Sequence, residues 1–198
     1  MKILGIDLAG SEKRKTGICI LNEKLVAHCF CIFEDKEIID LIEKEKPDLI
    51  AIDAPLSLPK ERKSLKRKSK IHFRKCDREL LKFKIKFFPI TLGPMRKLTE
   101  RGIKLRKILE KKYCVIEVYP GATQDILKIE RKQRGLKKLK KGLENLGIKI
   151  LKKNPNGDEL DAITCAFTGF LYLKGKFIAI GDRKEGQIIL PNEKIFKL

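Results

Sequence analysis

Histidine is nearly missing from this chain: His28 and His72 are the only two in 198 residues. Six cysteines, at 19, 29, 31, 76, 114 and 165, make no C-x-x-C pair. Together these scarcities argue against a zinc site, including one built on Cys29 and Cys31, which share a strand face. Most of the cysteines sit in apolar runs, as expected of buried free thiols in a reducing cytoplasm. No apolar run is long enough to span a bilayer. There is no low-complexity tract, and the N-terminus leads directly into a strand, so neither a signal peptide nor a membrane anchor is expected.

Acidic residues are the other shortage. There are 26 Asp and Glu against 46 Lys and Arg, a formal net charge of +20. The imbalance is local. Residues 57–112 hold 21 basic and 5 acidic side chains, a net of +16, and the rest of the chain nets only +4. A second basic run, KIERKQRGLKKLKK, covers 128–141. A hot environment favours charged residues of both signs, but it does not account for a fourfold excess of bases in one segment. Clustered positive charge is the footprint of a polyanion-binding surface, here nucleic acid.

The length suits one core with an insertion. Lys2–Leu8, Thr16–Leu21 and Leu25–Phe33 read as a three-stranded antiparallel meander. Asp35–Lys46 is an amphipathic helix stopped by Pro47, and Leu49–Ala54 is a short strand buried on both faces. A helix between strands implies a crossover, which sets the fourth strand parallel to the first. Residues 57–112 then read as an inserted basic helical subdomain, with helices at Leu65–Phe83 and Met95–Leu109 around a loop marked by Pro89, Gly93 and Pro94. Cys114–Tyr119 returns to strand. Gly135–Leu146 is an amphipathic helix, Asp158–Leu173 a buried one, and Phe177–Ile180 with Gln187–Leu190 a terminal hairpin or extended cover. The expected sheet has five strands in the order 3-2-1-4-5, within a single domain spanning 1–198.

Five acids interrupt this apolar pattern. Asp7 ends the first strand (KILGID), Asp53 the fourth (LIAID), and Glu117 lies within the fifth (VIEV). Asp158 and Asp161 open the apolar helix. An ionised carboxylate in such surroundings needs a partner, and several sharing one place raise each other's pKa. A pair of divalent cations, Mg²⁺ or Mn²⁺, would relieve the repulsion and could drive phosphodiester cleavage. Each acid also has a structural reading. Asp7 and Asp53 suit turns, Glu117 could pair with a lysine, and Asp158 suits a helix cap that Asp161 could complete.

The combination of GIDLAG, IDAPL, RKCDREL, LGPMRKLTERG, EVYPGA and DELDAITCAFTG resembles a family of uncharacterised proteins described as predicted nucleases with an RNase H-like fold. The D-x-x-D-A opening of the late helix is similar to that of RuvC-type Holliday-junction resolvases. The resemblance implies metal ligands at Asp7, Asp53 and Asp161, with Asp158 as an accessory acid. Glu117 matches the acid of an EVYP motif, and Arg74, Asp77 and Arg78 match an R-x-C-D stretch. The expected activity is metal-dependent hydrolysis of DNA or RNA, catalysed by Asp7, Asp53, Glu117 and Asp161 with two ions. Backbone contacts are expected from Lys66, Arg67, Lys68, Lys70, Arg74 and Arg78. Two alternatives use the same fold. One is a non-catalytic nucleic-acid-binding protein. The other is an actin-like or sugar-kinase-like ATP-binding protein, disfavoured because a second Gly-rich phosphate loop is missing.

Overall fold

The computed structural model describes residues 1–195. Strands β1 (Lys2–Asp7), β2 (Thr16–Asn22) and β3 (Val26–Ile32) form the expected meander, with Asp7 opposite Gly17. Helix α1 (Asp35–Glu45) ends at Lys46, whose φ of 46° lies in the left-handed region, just before Pro47. Strand β4 (Leu49–Asp53) returns parallel to β1 and sets Asp53 beside Asp7 in register.

Between β4 and the next strand lie α2 (Lys75–Lys82) and α3 (Gly93–Leu109). The helix expected from Leu65 begins ten residues late. Residues 65–74 wrap around a buried guanidinium instead. Arg62 donates to the carbonyls of Ser64 (3.0 Å), Arg67 (3.0 Å) and Ile71 (2.8 Å), so acceptors that a helix would use internally are satisfied by a side chain.

Strand β5 (Val115–Val118) runs parallel to β4. Helices α4 (Pro120–Ile126) and α5 (Leu136–Asn145), short strand β6 (Lys149–Ile150) and helix α6 (Gly157–Leu173) follow. The terminal hairpin is β7 (Phe177–Asp182) with β8 (Gly186–Pro191). The sheet order is β6-β3-β2-β1-β4-β5-β8-β7. The expected 3-2-1-4-5 is its centre. The correction is at the margins: β6 adds to one edge, and the hairpin joins β5 at the other to make eight strands.

The two sheet faces build separate cores. One packs Ile38 and Ile42 of α1 and Leu105 and Leu109 of α3 against β1, β2 and β4. The other packs α6 and α5 against the same strands. Helix α6 is apolar nearly all round because it lies between the sheet and α4 and α5. Two strand glycines let it approach. A Cβ at Gly5 would sit 2.2 Å from the Ala162 carbonyl oxygen, and one at Gly17 would sit 2.1 Å from that of Asp158. That contact delivers the first turn of α6 to the end of β1 that carries Asp7. Among the described residues, no helix is long and apolar enough to cross a membrane.

Candidate active site

Asp7 and Asp53 project from the adjacent C-terminal ends of two parallel strands, the usual site-forming edge of an open α/β sheet. Asp158 and Asp161 come down on them from the first two turns of α6. The helix cap expected of Asp158 is supplied by other residues. Asn156 accepts from the Glu159 amide at 2.9 Å, and Glu159 accepts from the Asn156 amide at 2.8 Å. That reciprocal cap leaves Asp158 and Asp161 without a capping duty.

A lysine reaches into the carboxylates. Lys132 Nζ lies 2.8 Å from Asp161, 3.4 Å from Asp158 and 3.6 Å from Asp7. Its stem runs past Gly157, where a Cβ would come within 3.1 Å of Lys132 Cδ. The other oxygen of Asp161 accepts from Gln124 of α4 at 2.8 Å. Sequence reasoning missed Lys132, which lay unremarked inside the basic run 128–141. It also missed Gln124, which carried no signal at all.

One ammonium does not neutralise this group. Burial, reinforced by Asp161 and only partly offset by Lys132, raises the Asp7 carboxyl to about 7. Burial and the charges of Asp7 and Asp161 push Asp53 well above the ordinary carboxylate range. Asp53 has no side-chain hydrogen bond or ion pair among the described residues. For Lys132, burial works against the charge, but the surrounding carboxylates prevail and raise its pKa.

Glu117 is placed apart from this group. Both its oxygens receive Arg74, at 2.7 Å each, and one also accepts from the Leu56 amide at 2.8 Å. Arg74 reaches Asp77 as well, at 2.9 Å. Arg74 is 1% exposed and Glu117 6%. Arg74 is therefore not on the surface expected to meet a nucleic-acid backbone, because the buried acids Glu117 and Asp77 hold it inside. A third buried arginine, Arg101 of α3, binds Asp35 (2.7 Å) and the carbonyls of Ala9 and Phe33 (2.8 Å each). It fixes the loop that follows Asp7.

The remaining expected contacts, Lys66, Arg67, Lys68, Lys70 and Arg78, are exposed. Nearer the acids, a groove of about 730 Å³ opens over Asp7 and Asp158, flanked by Arg14, Lys15 and Lys97. Among the described residues, no three Asp, Glu, His or Cys side chains stand as a ready cage for a metal ion. The position central to the acids holds Lys132 Nζ. The donor set is nonetheless of the right kind for a hard divalent cation: carboxylate oxygens only, two of them with raised proton affinity and one unpaired.

The cysteines are free: Cys19, Cys29, Cys76 and Cys165 are buried, and Cys114 is exposed. Cys31 takes a hydrogen bond from Asn156 Nδ2 at 3.3 Å.

Residues 5–95 match the family described as Protein of unknown function (DUF429). That span holds Asp7 and Asp53 but not the α6 acids or Lys132. No curated protein matches the sequence. In fold, the chain is similar to T. thermophilus RuvC in complex with a Holliday junction substrate. The TM-score is 0.50 at 12% identity, over 88% of this chain and 96% of that one. A second Thermus thermophilus RuvC structure gives 0.48 at 11% identity, over 88% and 97%. The chain thus has the RNase H-like α/β fold of RuvC and a sequence resembling an uncharacterised family.

Proposed function

We propose that this protein is a divalent-cation-dependent nuclease acting on phosphodiester bonds in DNA or RNA. The observation that carries the reading is the convergence of Asp7, Asp53, Asp158 and Asp161 at one sheet edge, with two raised pKa values and a basic groove in front. Asp7, Asp53 and Asp161 would hold Mg²⁺ or Mn²⁺, with Asp158 at the rim. Bound there, the ion supplies the Lewis-acid charge for phosphodiester hydrolysis. Arg14, Lys15 and Lys97 would attract the polyanion into the groove. Gln124 would orient Asp161, and Glu117 with Arg74 would position the chain leaving β4. Lys132 competes with an added cation for the same oxygens, so ion binding is expected to displace its ammonium.

The same lysine favours a second reading, a nucleic-acid-binding protein whose acids are neutralised by Lys132 and which cleaves nothing. Metal dependence decides between them. Under the nuclease reading, Mn²⁺ or Mg²⁺ supports cleavage in a panel of DNA and RNA substrates, and EDTA abolishes it. The ion binds the folded acids and not the unfolded chain. At a hundredfold excess over its dissociation constant it should add about 2.7 kcal/mol of stability. For a chain of this size that raises Tm by about 5–11 °C. A Tm indifferent to millimolar ions and to EDTA, with no cleavage, would leave the binding-protein reading.

Either reading requires electrostatic binding. Neutralising Lys66, Arg67, Lys68 and Lys70 together should weaken oligonucleotide binding and flatten its salt dependence. Each lost phosphate contact reduces the log–log slope by about 0.9 on duplex DNA and about 0.7 on a single strand. A slope unchanged by the quadruple variant would exclude this stretch from the interface.

A further inference from the structure

The end of α2 and the loop beyond it read LKFKIKFFPI, residues 81–90, and several apolar side chains there are exposed. Phe88 is 68% exposed, Leu81 53%, Phe83 51% and, just beyond, Leu92 49%. Lys82, Lys84 and Lys86 alternate with them and are exposed. The segment is nevertheless anchored. Ile85 is buried against α2 and the β7–β8 hairpin, and the Lys86 carbonyl accepts from the Tyr119 hydroxyl at 2.6 Å. A held cluster of exposed rings between lysines is unusual for a surface with no partner.

Two depressions meet at Phe87, Phe88 and Tyr119. One, of about 150 Å³, is mostly apolar and runs from Phe87, Phe88 and Tyr119 inward to Asp53 and to the ion cluster of Arg74, Asp77 and Glu117 beside it. A cavity of that size accepts one benzene-sized ring. The other, about 590 Å³, shares the same three aromatics and continues outward past Lys84, Lys86 and Arg131. Arg131, held by Asp125 through Nε at 2.8 Å, lies over the Tyr119 ring, 5.8 Å from its centroid, and precedes the Lys132 that enters the acid cluster. Rings for bases and cations for phosphates therefore form one path ending at the carboxylates.

We propose that Phe87, Phe88 and Tyr119, with the lysines around them, form a stacking platform for an unpaired nucleic-acid strand, with one nucleobase seated in the depression beside Asp53. A base inside a duplex has no free face for Phe88 and cannot enter a ring-sized depression. An unpaired base can do both, while its phosphates meet Lys84, Lys86 and Arg131. The proposal deepens the nuclease reading by assigning its substrate class, single-stranded or locally unpaired nucleic acid, but the surface itself is tested without cleavage.

Binding is measured by fluorescence anisotropy in EDTA, with a labelled mixed-sequence single strand, the same strand in a duplex, and an abasic strand of equal length. The wild-type protein should prefer the single strand over both others. Phe88→Ala should lose about 5- to 150-fold in affinity for the single strand, with no matching loss on the abasic strand. Phe88→Trp should restore it. Equal affinity of the wild type for normal and abasic strands would overturn the platform without need of any variant. So would tighter binding to duplex, or Phe88→Ala binding as wild type. Loss by Phe88→Ala of binding to anionic lipid vesicles, with oligonucleotide binding intact, would also overturn it and identify a membrane surface instead. A protein that meets these expectations but never cleaves with Mn²⁺ keeps the platform and loses the nuclease reading. One that cleaves duplex unaffected by Phe88→Ala keeps the nuclease and loses the platform.

Discussion

Asp7→Asn is expected to reduce metal-dependent cleavage at least a hundredfold, the order seen when one charge-stabilising group is removed from a catalytic site, while making the metal-free protein more stable at neutral pH. The second half follows from the carboxyl's position. In the folded chain its pKa is raised to about 7, chiefly by burial and then by Asp161, against roughly 3.9 in an unfolded chain. The folded state therefore holds this proton more tightly than the unfolded state. That contribution is intact at acidic pH and is lost as pH rises toward and through 7. In EDTA the wild type should lose stability between about pH 4 and pH 7, by a few kcal/mol at most because Asp7 shares its titration with its neighbours. Asn carries no such proton, so the variant should show a flatter profile and melt higher at pH 8. The measurement pairs cleavage rate in Mn²⁺ with denaturation in EDTA across pH. A variant that keeps its rate and melts several degrees lower would make Asp7 a structural residue.

Arg74→Ala should have the largest effect on folding. It strands Glu117 and Asp77 inside the protein with no counter-charge. Breaking a buried pair in this way typically costs about 3–5 kcal/mol, or about 6–20 °C in Tm for a chain of this length. Replacing both sides, Arg74→Met with Glu117→Leu, should be milder than the sum of the single changes, because no unpaired charge remains on Glu117. Glu117→Gln alone should melt lower but bind Mn²⁺ as wild type. A Glu117→Gln protein that is fully stable yet unable to cleave would return Glu117 to the reacting group.

The pairings behind these two expectations were not equally legible. Asp7 and Asp53 stand out because each is charged at the end of an apolar run, and the meander, crossover helix and fourth strand together fix them as neighbours. Both clues are local, since strand period, helix period and turn residues repeat within a few positions. The centre of the sheet was readable for the same reason. The edges were not. Strand β6 is two residues long and exists only because β3 offers it partners, and α4 is a single short helix after Pro120.

By itself the chain determined which residues are buried, in what order the central strands pair, and that acids gather at one end of them. Only the folded structure decided which cation each acid meets. Glu117 meets Arg74, 43 positions away, and Asp161 meets Lys132 across 29. Nothing in the local pattern of a sequence rich in Lys and Arg distinguishes those two from the other bases. The choice is made by Gly157, which leaves room for the stem of Lys132, and by the packing that buries Arg74 against two buried carboxylates. Burial follows from local composition, whereas the pairing of buried charges depends on distances that exist only after the chain has packed.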